Sequence, residues 1–217
     1  MATNIIIHWF RQDLRTNDNP ALSNAAQLGN VLPIYILDDH NSGQLKMGTM
    51  SRKWLHHALS SLDESLDHHL SYYNGDPLPI LLNLCSQYQC KHVVWNRCYE
   101  PWRIKRDTAI KEALEKIGVK VESFNGSLLW EPWDIRKSNG EQYKVFTPFY
   151  RKGCLNAPAP RQPLPSPNIQ FIANPESSCK LSDLNLDNSS PPNINSVWDI
   201  SEKGAHHTLT TFLTHGI

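Results

Sequence analysis

Three places along the chain bring together residue types that could do chemistry. The first is Arg11-Gln12-Asp13-Leu14-Arg15-Thr16-Asn17-Asp18-Asn19-Pro20, with two cations and two carboxylates within eight residues. Such a loop can grip a polar ligand, or its charges can pair with one another and hold the loop in shape. The second is Asn96-Arg97-Cys98-Tyr99-Glu100-Pro101-Trp102. It sets aromatic, amide and carboxylate groups ahead of a helix start, which suits a flat heteroaromatic ligand: a ring to stack on, and Glu100 or backbone groups to bond its edge. The same residues also have a purely structural use, with Trp95, Tyr99 and Trp102 as packing groups and Glu100 favoured by the helix dipole. Arg52, opening a long helical pattern, is the third candidate, with a plain surface role as its alternative.

Other chemistries lack their motifs. No G-x-G-x-x-G follows a strand and no G-x-x-x-x-G-K-[ST] is present, so the two common phosphate-cradling loops are missing. There is no G-x-S-x-G nucleophile elbow. The cysteines, Cys85, Cys90, Cys98, Cys154 and Cys179, are odd in number and irregular in spacing, without C-x-x-C. Reduced thiols in a cytoplasmic protein fit them better than a disulfide framework or a zinc site. Adjacent histidines, as in His56-His57, His68-His69 and His206-His207, point about 100° apart on a helix and do not readily share a metal. Lys+Arg and Asp+Glu balance at 21 each, which argues against a nucleic-acid binder acting alone. No run of about 18 apolar residues offers a membrane span. The N-terminus has neither the basic start nor the small-residue cleavage site of a secretory signal.

The elements that must position these residues alternate in period. Apolar runs at 5–10, 31–37, 71–73, 91–96 and 120–124 read as strands, with Pro33 placed early in its strand or at an edge. Asn19-Pro20 caps a helix reaching about Gln27. Residues 51–70 carry Leu55, Leu59, Leu62, Leu66 and Leu70 on one helical stripe. Helices at 79–87 and 101–117 follow, the last stopping at Gly118. Helical crossovers between short strands force parallel pairing, so the fold class is α/β. The architecture is a Rossmann-like open parallel five-stranded sheet with helices on both faces. In such sheets ligands sit beyond the carboxyl ends of the strands, at the switch in strand order. From 157 to 192, eight prolines among much Ser and Asn read as a linker that wraps a surface or stays flexible, not as core. A short terminal helix over 201–215 places Ala205, Leu209, Phe212 and Leu213 on one face.

Trp9-Phe10-Arg11-Gln12-Asp13-Leu14-Arg15 with Asp18-Asn19-Pro20-Ala21-Leu22 resembles the opening signature of the DNA photolyase/cryptochrome family. Trp95 to Trp102 with Arg106-Asp107, Tyr143-Lys144-Val145-Phe146-Thr147-Pro148-Phe149, and Ser51-Arg52 with Leu55-His56 resemble further family segments, in family order. The resemblance covers the first part of the family's length. It implies a photolyase-type N-terminal α/β domain at 1–155, an interdomain linker at 156–200, and at 201–217 the first helix of a helical FAD-binding domain missing from this chain. By the resemblance, the complete protein is a deoxyribodipyrimidine photo-lyase, a carbon–carbon lyase that repairs pyrimidine dimers in DNA with light and reduced FAD. Damaged DNA is then a partner of the full-length protein only, and no catalytic residue lies in this chain. Because the family's electron-transfer tryptophans belong to the helical domain, none of the seven tryptophans is given a redox role.

What this chain keeps is the place for a light-harvesting antenna. Family members with a folate antenna carry an Asn-Glu pair just past the Glu of the post-strand-four segment, where this chain has Trp102-Arg103. The resemblance therefore points to a deazaflavin or flavin nucleotide, in a crevice of Asp13, Tyr35, Ile36, Arg52, Cys98, Tyr99 and Glu100. Two alternatives stay open: a cryptochrome blue-light photoreceptor fragment, and a stand-alone nucleotide-binding α/β module. Side chains meant for the helical domain should be exposed and apolar, with Phe146, Pro148, Phe149, Leu209, Phe212 and Leu213 as candidates.

Overall fold

Each apolar run becomes a strand: β1 (Ile5–Phe10), β2 (Asn30–Leu37), β3 (Ser71–Asn74), β4 (His92–Asn96) and β5 (Lys120–Phe124). A computed structural model describes residues 4–187 and 197–216. The five strands form one parallel sheet in the order β3-β2-β1-β4-β5. Between them lie α1 (Pro20–Leu28), α2 (Thr49–Ser65), α3 (Pro77–Gln87) and α4 (Pro101–Lys116). Leu22 and Ala25 of α1 and Leu55, Leu59 and Leu62 of α2 pack on one face with Ile6 and Phe10. Leu81 and Leu84 of α3 and Ile110 and Leu114 of α4 pack on the other with Ile7 and Trp9. With both faces covered, strand residues are apolar in succession instead of alternating.

Local chemistry sets the element ends. The Asn19 side chain accepts the Leu22 amide at 3.0 Å, capping α1, and Pro20 sits in the first turn, where a missing N–H costs nothing. Pro33 pairs with His8 across β1 and falls one residue before the β3 ladder opens at Ile34, so β2 is still an edge there. The helix expected over 51–70 ends earlier, at Ser65. Asp67 and His68 take φ of 50° and 60°, and Asp63 accepts the Leu70 amide at 3.0 Å to hold the turn into β3. The apolar stripe outlasts the helix, since Leu66 and Leu70 are still buried.

Beyond β5 come a single helical turn, α5 (Phe146–Pro148), and the C-terminal α6 (Glu202–His215). The proline-rich segment between them does wrap the domain: Asp18 donates its amide to Leu164, Val31 to Gln170, and Cys179 to Tyr72. It is more than a wrap, however. Leu184 and Leu186 enter the core beside α2, correcting the expectation that this composition contributes none. Part of the expected linker, 188–196, lies outside the described residues. All five cysteines are free thiols. Among the described residues no helix is long and apolar enough to cross a membrane. Phe146, Phe149, Leu209, Phe212 and Leu213 are exposed and Pro148 is half-buried.

Candidate functional site

β1 is flanked by β2 on one side and β4 on the other, so the strand order switches between β1 and β4. The protein's own side chains fill that crevice. Asn96, at the end of β4, donates to Asp13 at 2.6 Å and to the Asn19 side chain at 2.7 Å, and accepts the Ala21 amide at 3.2 Å. Asp13 also takes the Arg11 amide at 3.0 Å. The Arg11 guanidinium bonds both Asp107 of α4 and the Asn96 carbonyl, lying 5.0 Å from the Trp9 ring and 5.5 Å from Trp95. Gly126 keeps this arrangement possible, because a Cβ there would run into the Asn96 side chain. The loop charges are thus satisfied by partners inside and outside the loop: Arg15 donates to the carbonyls of Asn17, Asp18 and Gly126, and Asp18 pairs with Arg161.

The open space lies to the β2 side. A cavity of about 1720 Å³ has Tyr35, Ile36, Leu37, Asp38 and Asp39 at the end of β2 for its floor. Trp54 and Ala58 contribute from α2, Trp102, Arg103 and Arg106 from α4, and Leu209 and Phe212 from α6. Trp54 meets Trp198 edge-on at 6.0 Å, closing the side where α2 approaches the residues before α6. Arg106 is a fixed wall. It pairs with Asp38 at 2.9 Å and Asp107 at 2.8 Å, and sits 4.8 Å from the Trp9 ring and 5.2 Å from Trp102. Arg103 lies over the Trp102 ring at 4.7 Å, with Glu100 as a loose partner at 3.4 Å. A planar heteroaromatic group fits this donor set: indoles and aliphatic side chains for its faces, and Asp39, Gln12 and Arg103 for its polar edge.

Helix α6 is tied down by one side chain. Glu202 accepts the Thr16 amide at 2.8 Å and the Asn17 amide at 2.9 Å. Partial burial opposes ionisation of Glu202, but these hydrogen bonds outweigh it and hold the carboxyl below its ordinary range. We expect Glu202→Ala to cost roughly 1–2 kcal/mol locally, two amides losing a charged acceptor. Hydrogen exchange should quicken at Thr16, Asn17 and α6 while the strand amides stay protected. Uniformly faster exchange across the sheet would contradict this.

Of the residues expected at the site, Tyr35 and Ile36 line the cavity. Arg52 stands behind its wall, donating to the Met47 carbonyl at 3.0 Å and pairing with Asp39. Asp13 belongs to the switch-point network. Cys98, Tyr99 and Glu100 face the β4 side. Burial pushes the Cys98 thiol up; Tyr99 donates to Glu131 at 2.9 Å; Glu100 accepts from Gln12 at 2.8 Å. Partial burial of Glu100 is outweighed by backbone and Gln12 hydrogen bonds and by Arg103, so its carboxyl is held low. Of the seven, Tyr35 and Ile36 line the cavity itself, while Arg52, Cys98 and Glu100 contact side chains that line it. Of the α4 triplet Trp102, Arg103 and Arg106 that walls the cavity, Trp102 lay in the segment read as a ligand site, and the two arginines were missed. Their signal was the one-and-four spacing, which puts the three side chains on one side of a helix.

A parallel sheet with helices on both faces and a cavity beyond the strand ends defines a Rossmann-like α/β domain. The chain belongs to the DNA photolyase family, whose model it matches over residues 6–168. It is 36% identical to the deoxyribodipyrimidine photo-lyase of Agrobacterium fabrum (strain C58 / ATCC 33970), over 98% of this chain and 45% of that protein. It is 31% identical to cryptochrome-1 of Arabidopsis thaliana, over 95% of this chain and 31% of that one. Among solved structures, a bacterial class III photolyase from Agrobacterium tumefaciens matches with a TM-score of 0.86 and 34% identity, over 99% of this chain and 45% of that chain. The chain thus spans less than half the length of these relatives.

Proposed function

We propose that this chain is the light-gathering module of a deoxyribodipyrimidine photo-lyase, and that its large cavity holds a planar antenna chromophore of the deazaflavin or flavin-nucleotide type. The observation that carries the reading is the cavity over Tyr35 and Ile36, walled by Trp54 and Trp102, in a chain of the DNA photolyase family. When bound, the chromophore supplies light absorption and passes excitation on; the chain's residues bind it, orient it and keep water from it. The indole and aliphatic surfaces of the lining favour a flat ring, and its charged groups, among them Arg106, Asp38 and Asp39, are already paired. Trp102-Arg103, in place of the folate-type pair, argues against a folate antenna. Dimer cleavage, FAD and damaged DNA belong to the complete protein, through a helical domain that packs on the exposed face of Phe146, Phe149 and Leu213. The five free thiols agree with a reducing, cytoplasmic setting.

Titration of the purified chain with flavin mononucleotide, a deazaflavin, a reduced folate and adenosine triphosphate tests this, with ligand and tryptophan fluorescence as readouts. Saturable binding is expected for a flavin or deazaflavin, at least about tenfold (~1.4 kcal/mol) tighter than for the folate. Ala58→Trp, which places an indole in the cavity from α2, should weaken that binding by about 30-fold (~2 kcal/mol) with the circular dichroism spectrum unchanged. Preferential binding of adenosine triphosphate would instead support a stand-alone nucleotide module. The identity to cryptochrome-1 favours a photoreceptor as the second reading. Repair of pyrimidine dimers by the complete protein under blue light decides between the two.

A further inference from the structure

We infer that Cys85 and Cys90 form a redox pair that closes to an intramolecular disulfide. The end of α3 sets these two residues together. Gln89 takes a left-handed φ of 48°, the Cys90 amide donates to the Cys85 carbonyl at 3.0 Å, and the Gln89 amide donates to Ser86 at 3.4 Å. These two closures are a Schellman motif, which brings the side chain three places inside the helix end against the one just past the turn, ordinarily as an apolar contact. In this chain both positions are cysteines.

The turn sets the two side chains beside each other, and both are buried in the core cluster with Leu81, Leu84 and Val93. Cys90 is also 2.9 Å from the His92 carbonyl, so its sulfur is held at the start of β4 while Cys85 is held by the helix. The other three cysteines have different surroundings. Cys98 lies 3.7 Å from Arg103, Cys179 donates to the Tyr72 carbonyl at 3.2 Å, and Cys154 follows the turn at 149–153. The neighbouring Cys85 holds the Cys90 thiol down against the effect of burial, while Cys90 and burial together push Cys85 up. Cys90 therefore ionises first and attacks first.

With hydrogen peroxide as oxidant, the Cys90 thiolate attacks one oxygen. The O–O bond breaks, leaving Cys90 as sulfenic acid and hydroxide, which takes up the proton Cys90 released. The Cys85 sulfur then attacks the Cys90 sulfur; the S–O bond breaks, and hydroxide leaves with the Cys85 proton as water. Two thiols and one peroxide become one disulfide and two waters. The bond would staple the end of α3 to the start of β4, and a dithiol reductant would open it.

The test treats the whole folded chain with hydrogen peroxide, unfolds it, alkylates remaining thiols and cleaves with chymotrypsin, which cuts after Tyr88 between the two cysteines. Cys85 and Cys90 are expected to lose alkylation together. Their peptides should stay joined with a mass lower by two hydrogens and should separate after dithiothreitol. In Cys85→Ser, which keeps the helix end, Cys90 should be trapped by dimedone as a sulfenic acid. Alkylatable Cys85 and Cys90 after peroxide, pairing of either with another cysteine, or a Cys90 that dimedone does not trap in the variant would each overturn the inference.

Discussion

Replacing Arg11 by methionine should destabilise the protein by roughly 3–5 kcal/mol, the range for removing one partner from a buried ion pair. The Arg11 side chain is only 2% exposed. Its guanidinium joins three elements: the loop after β1, the Asn96 carbonyl at the end of β4, and Asp107 on α4. Methionine fills much of the volume and can still touch Trp9 and Trp95, so the loss isolates the polar contribution. Asp107 would keep Arg106 at 2.8 Å, but the Asn96 carbonyl would be left buried without its donor. Lysine should rescue only part of the loss, since one ammonium cannot reproduce a fork that bridges carboxylate and carbonyl. Urea unfolding followed by circular dichroism measures the effect. A loss below about 1 kcal/mol would mean that the network is decoration instead of the joint between the two halves of the sheet.

That network also explains what the sequence disclosed and what it withheld. The sheet was legible because its evidence is local: apolar runs such as Ile5-Ile6-Ile7, an Asn-Pro helix start, a Gly stop. Parallel pairing followed from the crossovers. The end of α2 was not legible, because Leu66 and Leu70 keep the helical spacing of apolar side chains while Asp63 diverts the backbone into a turn. Leu184 and Leu186 were hidden in the same way, as core residues within a composition that suits a wrapping segment. The cavity lies beyond the strand ends, where a ligand was expected, but the side of β1 on which it opens was not decided by spacing. Asp13 and Asn96 meet across 83 positions of sequence, and only their contact shows that the switch point is filled. With that crevice closed, the cavity opens over β2. Tyr35 and Ile36 remain at its floor, and Cys98 and Glu100 stand behind Gln12 and Arg103 of its wall.

A second large effect is expected from acid, and it traces to one residue on β1. His8 is fully buried, edge-on to Phe10 at 4.3 Å, and neither ring nitrogen has a hydrogen-bond partner among the described residues. Burial is the main force on its titration; Asp13 pulls the other way and Arg11 adds to burial, and the result is a pKa lowered from 6.5 to about 4. The folded protein therefore holds His8 neutral where the unfolded chain protonates it, so the unfolded state binds more protons in that window. Stability falls as pH drops from about 6.5 to about 4, by about 3 kcal/mol in all, and His8 contributes no further loss below that. The carboxyls of Glu100 and Glu202, held below 4.5, lose their contribution only at lower pH, so the two limbs separate. Urea midpoints at pH 7, 6, 5 and 4 give the profile. His8→Leu, which removes the titrating ring without adding a polar atom to the core, should flatten the stretch from pH 6.5 to 4.5 and leave the lower limb in place. An unchanged slope in that variant would assign the acid sensitivity to other groups and leave the buried imidazole without influence on it.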